Sequence, residues 1–76
     1  TTTMLKAGLP GNNRVTYSRK SGGWAICKQA VFGVRHVATV YDDLDGYTVY
    51  LAGSGPLVVE SLNEVVTKVA KVWSRI

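Results

Sequence analysis

Apolar and polar residues alternate with a period of two along much of the chain between positions 14 and 52. Arg14 to Lys20 reads Arg-Val-Thr-Tyr-Ser-Arg-Lys, and beyond Ser21-Gly22-Gly23 comes the more apolar Trp24-Ala25-Ile26-Cys27. β-Branched and aromatic residues at alternate positions suit a half-buried strand, and a glycine pair supplies the positive φ that a tight hairpin turn requires. With Gly22-Gly23 as a two-residue loop, Arg19 is expected opposite Ile26, Tyr17 opposite Lys28 and Val15 opposite Ala30. That register puts Val15, Tyr17, Arg19, Trp24, Ile26 and Lys28 on one face, and Thr16, Ser18, Lys20, Ala25, Cys27 and Gln29 on the other.

A second hairpin is expected after Val31-Phe32-Gly33, from strand-like runs at 34–42 and 47–52 joined through Asp45-Gly46, a strong short-range turn signal. The turn sets Val40 opposite Leu51, Asp42 opposite Val49 and Tyr41 opposite Tyr50. Ala38, Val40, Leu44, Tyr47, Val49 and Leu51 then form a core face, and Arg35, Thr39, Tyr41, Thr48 and Tyr50 the outer one. A slip of one residue would exchange the two sets.

Gly53-Ser54-Gly55-Pro56 breaks the ladder, and 57–59 is long enough for a short edge strand. After it the apolar period changes to that of a helix. Leu62, Val65, Val66, Val69, Val72, Trp73 and Ile76 follow one stripe at about 100° per residue, with Glu64, Lys68, Lys71 and Arg75 opposite. Ser61-Leu62-Asn63-Glu64 has the form of a capping box, which predicts a helix over about 62–75. Four valines lower its intrinsic propensity, so it needs a sheet to lie on. The segment 1–13, with Gly8, Pro10 and Gly11, reads as a mobile or loosely docked arm. The pattern predicts a single α+β domain over 14–76. Its antiparallel sheet has three to five strands (about 14–20, 24–31, 34–42, 47–52 and the edge 57–59), with one C-terminal amphipathic helix packed on one face.

Composition adds that this domain is globular and held by packing alone. Of 76 residues 46% are apolar and 18% charged, with seven aromatics, unlike a disordered chain. One cysteine, Cys27, and one histidine, His36, leave no internal disulfide and no Cys/His zinc site. No apolar run approaches the roughly 18 residues of a membrane span, and Thr1 to Lys6 lacks a secretory segment, so a cytoplasmic protein is expected, without a membrane partner.

Charge changes the picture more. The net charge is +4, yet Lys6, Arg14, Arg19, Lys20, Lys28 and Arg35 precede the first acid, and all five acids fall between Asp42 and Glu64. Clustered cations point to an anionic partner, nucleic acid above all, because they displace counterions from phosphates. The competing explanation is an ordinary basic surface that keeps a small protein soluble.

Catalytic and metal chemistry find little support. Cys27 lies in an apolar stretch, where a thiol is usually a packing residue, and His36 has no recognisable partner. In Asp42-Asp43-Leu44-Asp45-Gly46, placing Gly46 at the sixth position of a calcium loop puts Tyr41 first and Ala52 twelfth, so the first ligand and the bidentate glutamate are missing. Gly53-Ser54-Gly55-Pro56 lacks the lysine and the strand–loop–helix order of a phosphate-binding loop. No enzyme, cofactor or metal is expected.

A binding surface remains. The expected reading is a non-enzymatic module that binds nucleic acid, most simply DNA, with Arg14, Arg19, Lys20, Lys28 and Arg35 on phosphate and Tyr41 and Tyr50 stacking or entering a groove. Thr and Tyr are also ordinary fillers of exposed strands. The alternative is a small protein that binds and modulates another protein, as phage or mobile-element polypeptides often do. Its edge at 57–59 could pair with a partner strand or a second copy, giving a homodimer. Strands followed by one amphipathic helix resemble the general layout of small sheet-based DNA readers such as the arm-binding domains of phage-type integrases. The likeness is one of architecture, without diagnostic residues.

Overall fold

The computed structural model describes residues 1–76. In chain order the elements are α1 (Thr2–Gly8), β1 (Asn13–Ser18), β2 (Gly23–Ala30), β3 (Gly33–Asp43), β4 (Gly46–Leu51), β5 (Pro56–Val59) and α2 (Leu62–Trp73). The strands form one sheet in the order β1-β2-β3-β4-β5, each antiparallel to its neighbours. The result is an α+β two-layer fold with a C-terminal helix, as the pattern predicts, plus a second helix at the N-terminus.

The core lies between the sheet and both helices. Val15, Trp24, Ile26, Ala38, Val40, Val49 and Val59 meet Val65, Val69 and Trp73 of α2 and Leu5 of α1. Fully buried aliphatic side chains such as Ile26, Val40, Val49 and Val69 each contribute about 1.5–3 kcal/mol by leaving water, which is how a chain this small holds without a crosslink. Ser61 caps α2 as expected, its Oγ accepting from Glu64 N–H at 3.3 Å. The Glu64 carboxylate reaches back to Glu60 N–H at 3.1 Å, one residue before the cap.

The segment 1–13 is not a loose arm. Leu5 has no exposed surface and Leu9 only 7%, so this i, i+4 pair fastens α1 and the turn after it to the core. Side-chain amides complete the attachment. Asn13 Nδ2 donates to the carbonyls of Lys6 and Pro10, at 3.0 and 2.7 Å. Asn12 Oδ1 accepts from the Trp73 indole at 3.2 Å, and Thr2 Oγ1 accepts from the Trp24 indole at 3.2 Å. Tertiary partners supply what a seven-residue helix cannot supply alone.

Both expected hairpins form, each displaced from its expected register. Tyr17 pairs with Trp24 and Val15 with Ile26, so the β1–β2 loop is Arg19-Lys20-Ser21-Gly22 and Arg19 is not a strand residue. Val40 pairs with Val49 and Asp43 with Gly46, which makes Leu44-Asp45 the β3–β4 loop and leaves Leu44 fully exposed instead of in the core. Each displacement is even, so the remaining core-face residues keep their face.

β3 carries a feature the alternation does not reveal. Ile26 pairs with Ala38 but Cys27 with His36, leaving Val37 as the extra residue of a β-bulge. Val37 and Ala38 are both fully buried, and the Val37 carbonyl accepts from Ala52 N–H at 2.8 Å. An inserted residue reverses the alternation beyond it. Arg35, expected on the outer face, is therefore carried to the helix side opposite Lys28, and His36 turns outward, where its Nε2 lies 2.7 Å from Thr39 Oγ1.

Candidate nucleic-acid interface

Strand direction separates the charges along the molecule. The β1–β2 and β3–β4 loops lie at one end of the sheet, since Gly23 pairs with Tyr41 and Asp43 with Gly46. α2 starts at that end too, because Val59 pairs with Tyr47 and the backbone of Glu60 lies against Gly46. Asp42, Asp43, Asp45, Glu60 and Glu64 thus gather at one end, with Arg19 and Lys20 on the neighbouring loop.

The opposite end is basic. Lys28 and Arg35 face each other across the β2–β3 ladder, and Lys28 Nζ donates to the carbonyl of Trp73, at the C-terminus of α2, at 3.0 Å. That bond brings Lys71 and Arg75 to the same end. Arg14, the second residue of β1, lies opposite Cys27 on the outer face, and the Lys6 carbonyl is held by Asn13 beside it. Six of the nine lysines and arginines stand at this end, against none of the five acids.

From this basic end a two-stranded ribbon projects. β1 is paired only as far as Lys28 and β4 only as far as Ala38, while β2 and β3 continue to Ala30 and Gly33. Asn12 steadies the ribbon's root, where the Gln29 N–H donates to its carbonyl at 2.8 Å. Phe32 lies five residue steps from Val37, so at about 3.3 Å per step the tip stands roughly 16 Å past the edge of β4. The tip is Val31-Phe32, 92% and 101% exposed. Ile76 faces one side of the ribbon across an open depression of about 430 Å³.

The residues singled out from the pattern fall into three groups. Arg14, Lys28 and Arg35 come together around the ribbon's root, joined by Lys6, Lys71 and Arg75. Arg19 and Lys20 stand at the far, acidic end. Tyr41 and Tyr50 lie on the uncovered outer face and contact each other, ring centroids 5.7 Å apart and edge to face. They are diagonal neighbours, not directly opposed, because Tyr41 pairs with Thr48 and Tyr50 with Thr39. Tyr41 also lies over the buried Gly23, where an added Cβ would come within 2.7 Å of its ring. Cys27 and His36 are cross-strand neighbours on the outer face, the thiol half-buried and the imidazole exposed.

Two features of this site were missed in the linear pattern. The contribution of Lys71 and Arg75 depends on α2 ending beside β2. The ribbon tip had a visible signal: Val and Phe are poor turn residues, and a Val-Phe-Gly turn is an odd use of two large apolar side chains.

Fold and site together define a class: a five-strand antiparallel meander backed by two helices, polarised in charge, with an apolar-tipped ribbon at its basic end. Compared with known proteins, the chain matches no protein-family model, no curated protein and no solved structure. No helix is long and apolar enough to cross a membrane.

Proposed function

We propose that the protein is a non-enzymatic module that binds duplex DNA through its basic end, in the cytoplasm. The observation that supports this reading is the gathering of Lys6, Arg14, Lys28, Arg35, Lys71 and Arg75 at one end while every acid stands at the other. Polyanion binding gains from each cation that displaces a counterion, and an acidic far end directs the approach. Lys28 caps α2, so its part is to hold the site together. Lys6, Arg14, Arg35, Lys71 and Arg75 are free to meet phosphate, whereas Arg19 and Lys20, beside the acids, are not in position to join them.

Fluorescence anisotropy with a labelled duplex over a salt series tests the reading. With three to five phosphate contacts, log K against log salt is expected to fall with a slope of roughly −3 to −4.5. Arg35→Gln with Arg75→Gln should make the slope shallower by about 2, and Arg19→Gln with Lys20→Gln should leave it unchanged. A flat salt dependence of the unaltered protein refutes the reading.

A second reading, binding to another protein or to a second copy, draws on the edge strand β5, where Val58 is 69% exposed. An unpaired edge can accept a strand from a partner. Sedimentation with and without Val58→Lys separates the two: a mass above the monomer that the substitution abolishes favours this alternative.

A further inference from the structure

We infer that Val31-Phe32 is an apolar wedge that enters a base step of the bound duplex and bends it, an inference that rests on the DNA-binding reading and extends it. Phe32 is fully exposed and Val31 nearly so, and neither joins the core cluster. They occupy a two-residue loop between Ala30 and Gly33, and Gly33 at φ 130° absorbs the backbone demand of the turn. Polar turn residues or glycine would close this hairpin without placing two apolar side chains in water. The tip therefore answers to something outside the fold.

Position and charge say what that partner is. The ribbon carries the tip past the edge of β4, with Ile76 along one side, and its root is surrounded by cations: Arg35 on the helix side, Arg14 on the outer face, Lys71 and Arg75 at the end of α2. An object that meets all of these at once is anionic on its surface and apolar a short distance inside. A DNA duplex has that profile, with phosphates outside and stacked bases within. Side chains without donors or acceptors cannot read the hydrogen-bonding edges of bases, but they can replace a neighbouring base in the stack. Apolar wedges of this type unstack a step and kink the duplex.

Phe32→Ala combined with Val31→Ser tests the wedge without touching the core. Binding is followed by anisotropy and bending by energy transfer between dyes at the two ends of a short duplex. The unaltered protein is expected to shorten the end-to-end distance and to prefer a duplex with a central mismatch, where unstacking costs least. The variant should bind about 10- to 100-fold more weakly, keep the same salt slope, and lose both the bending and the mismatch preference. A variant that binds and bends like the parent overturns the wedge while leaving the charge-based reading standing. A parent protein with no salt-dependent duplex binding overturns both. Vesicles containing phosphatidylserine provide the remaining comparison: tighter, Phe32-dependent binding to these than to the duplex assigns the tip to a lipid surface and overturns the proposal.

Discussion

Replacing Leu5 by alanine tests the least expected part of the fold, the docking of α1. Leu5 is completely buried, and α1 packs against β1 and α2. Removing its isobutyl group loses the transfer energy and leaves a cavity, a combination that costs about 2–5 kcal/mol for Leu→Ala in a core. At about 0.05–0.15 kcal/mol per residue, a domain of this length has a total stability of only about 4–11 kcal/mol. A loss near 3 kcal/mol should lower the melting temperature by roughly 12–24 °C, taking about 4–8 °C per kcal/mol for a domain of this size. Urea and thermal unfolding followed by circular dichroism measure both quantities. Met4→Ala on the same helix is the control: Met4 is 60% exposed, and its loss should stay within about 0.5 kcal/mol. If Leu5→Ala is as mild as Met4→Ala, α1 is not part of the cooperative core and the account of residues 1–13 fails.

Gly46→Ala, with Gly55→Ala as its control, and Lys28→Met probe the two ends of the sheet. Gly46 has φ 155°, and a Cβ there would collide with the Val59 carbonyl oxygen. Gly46→Ala should cost about 3 kcal/mol or more from strain and overpacking combined, whereas Gly55→Ala, with open space around it, should be near neutral. Equal denaturation midpoints for the two would contradict the packing of Glu60 and Val59 on this turn. Lys28→Met removes the donor to the Trp73 carbonyl and a cation at the negative end of α2, and should cost about 1 kcal/mol. Faster amide exchange confined to the last turn of α2 would accompany that loss; unaltered exchange and stability would show the contact to be idle.

The sheet and α2 were legible because their signals are periodic. The stripe from Leu62 to Ile76 returns Val65, Val69 and Trp73 as the buried residues of α2. The faces of both hairpins survive registers displaced by four residues in the first and by two in the second, because faces depend only on whether a slip is odd or even. The same dependence explains the error at Arg35. Val37 and Ala38, two small apolar residues in succession, are the only trace of the bulge, and they could equally have been a strand buried on both faces. α1 was illegible for another reason. Leu5 and Leu9 make a single i, i+4 pair beside Gly8 and Pro10, too short a run to show a period, and what orders them is Asn12, Asn13 and Trp24 elsewhere in the chain. The site was half legible: the bias of the early cations is visible in one dimension, but their separation from Arg19 and Lys20 appears only when strand direction is known.

Opposite charges at the two ends of the long axis make the molecule behave like a compass needle. In the field of a polyanion it experiences a torque before any contact forms, so encounters are biased toward arrival with the Val31-Phe32 turn in front. The orientational search that slows most macromolecular associations is shortened, and the advantage fades as added salt brings the screening length below the 37 Å length of the molecule.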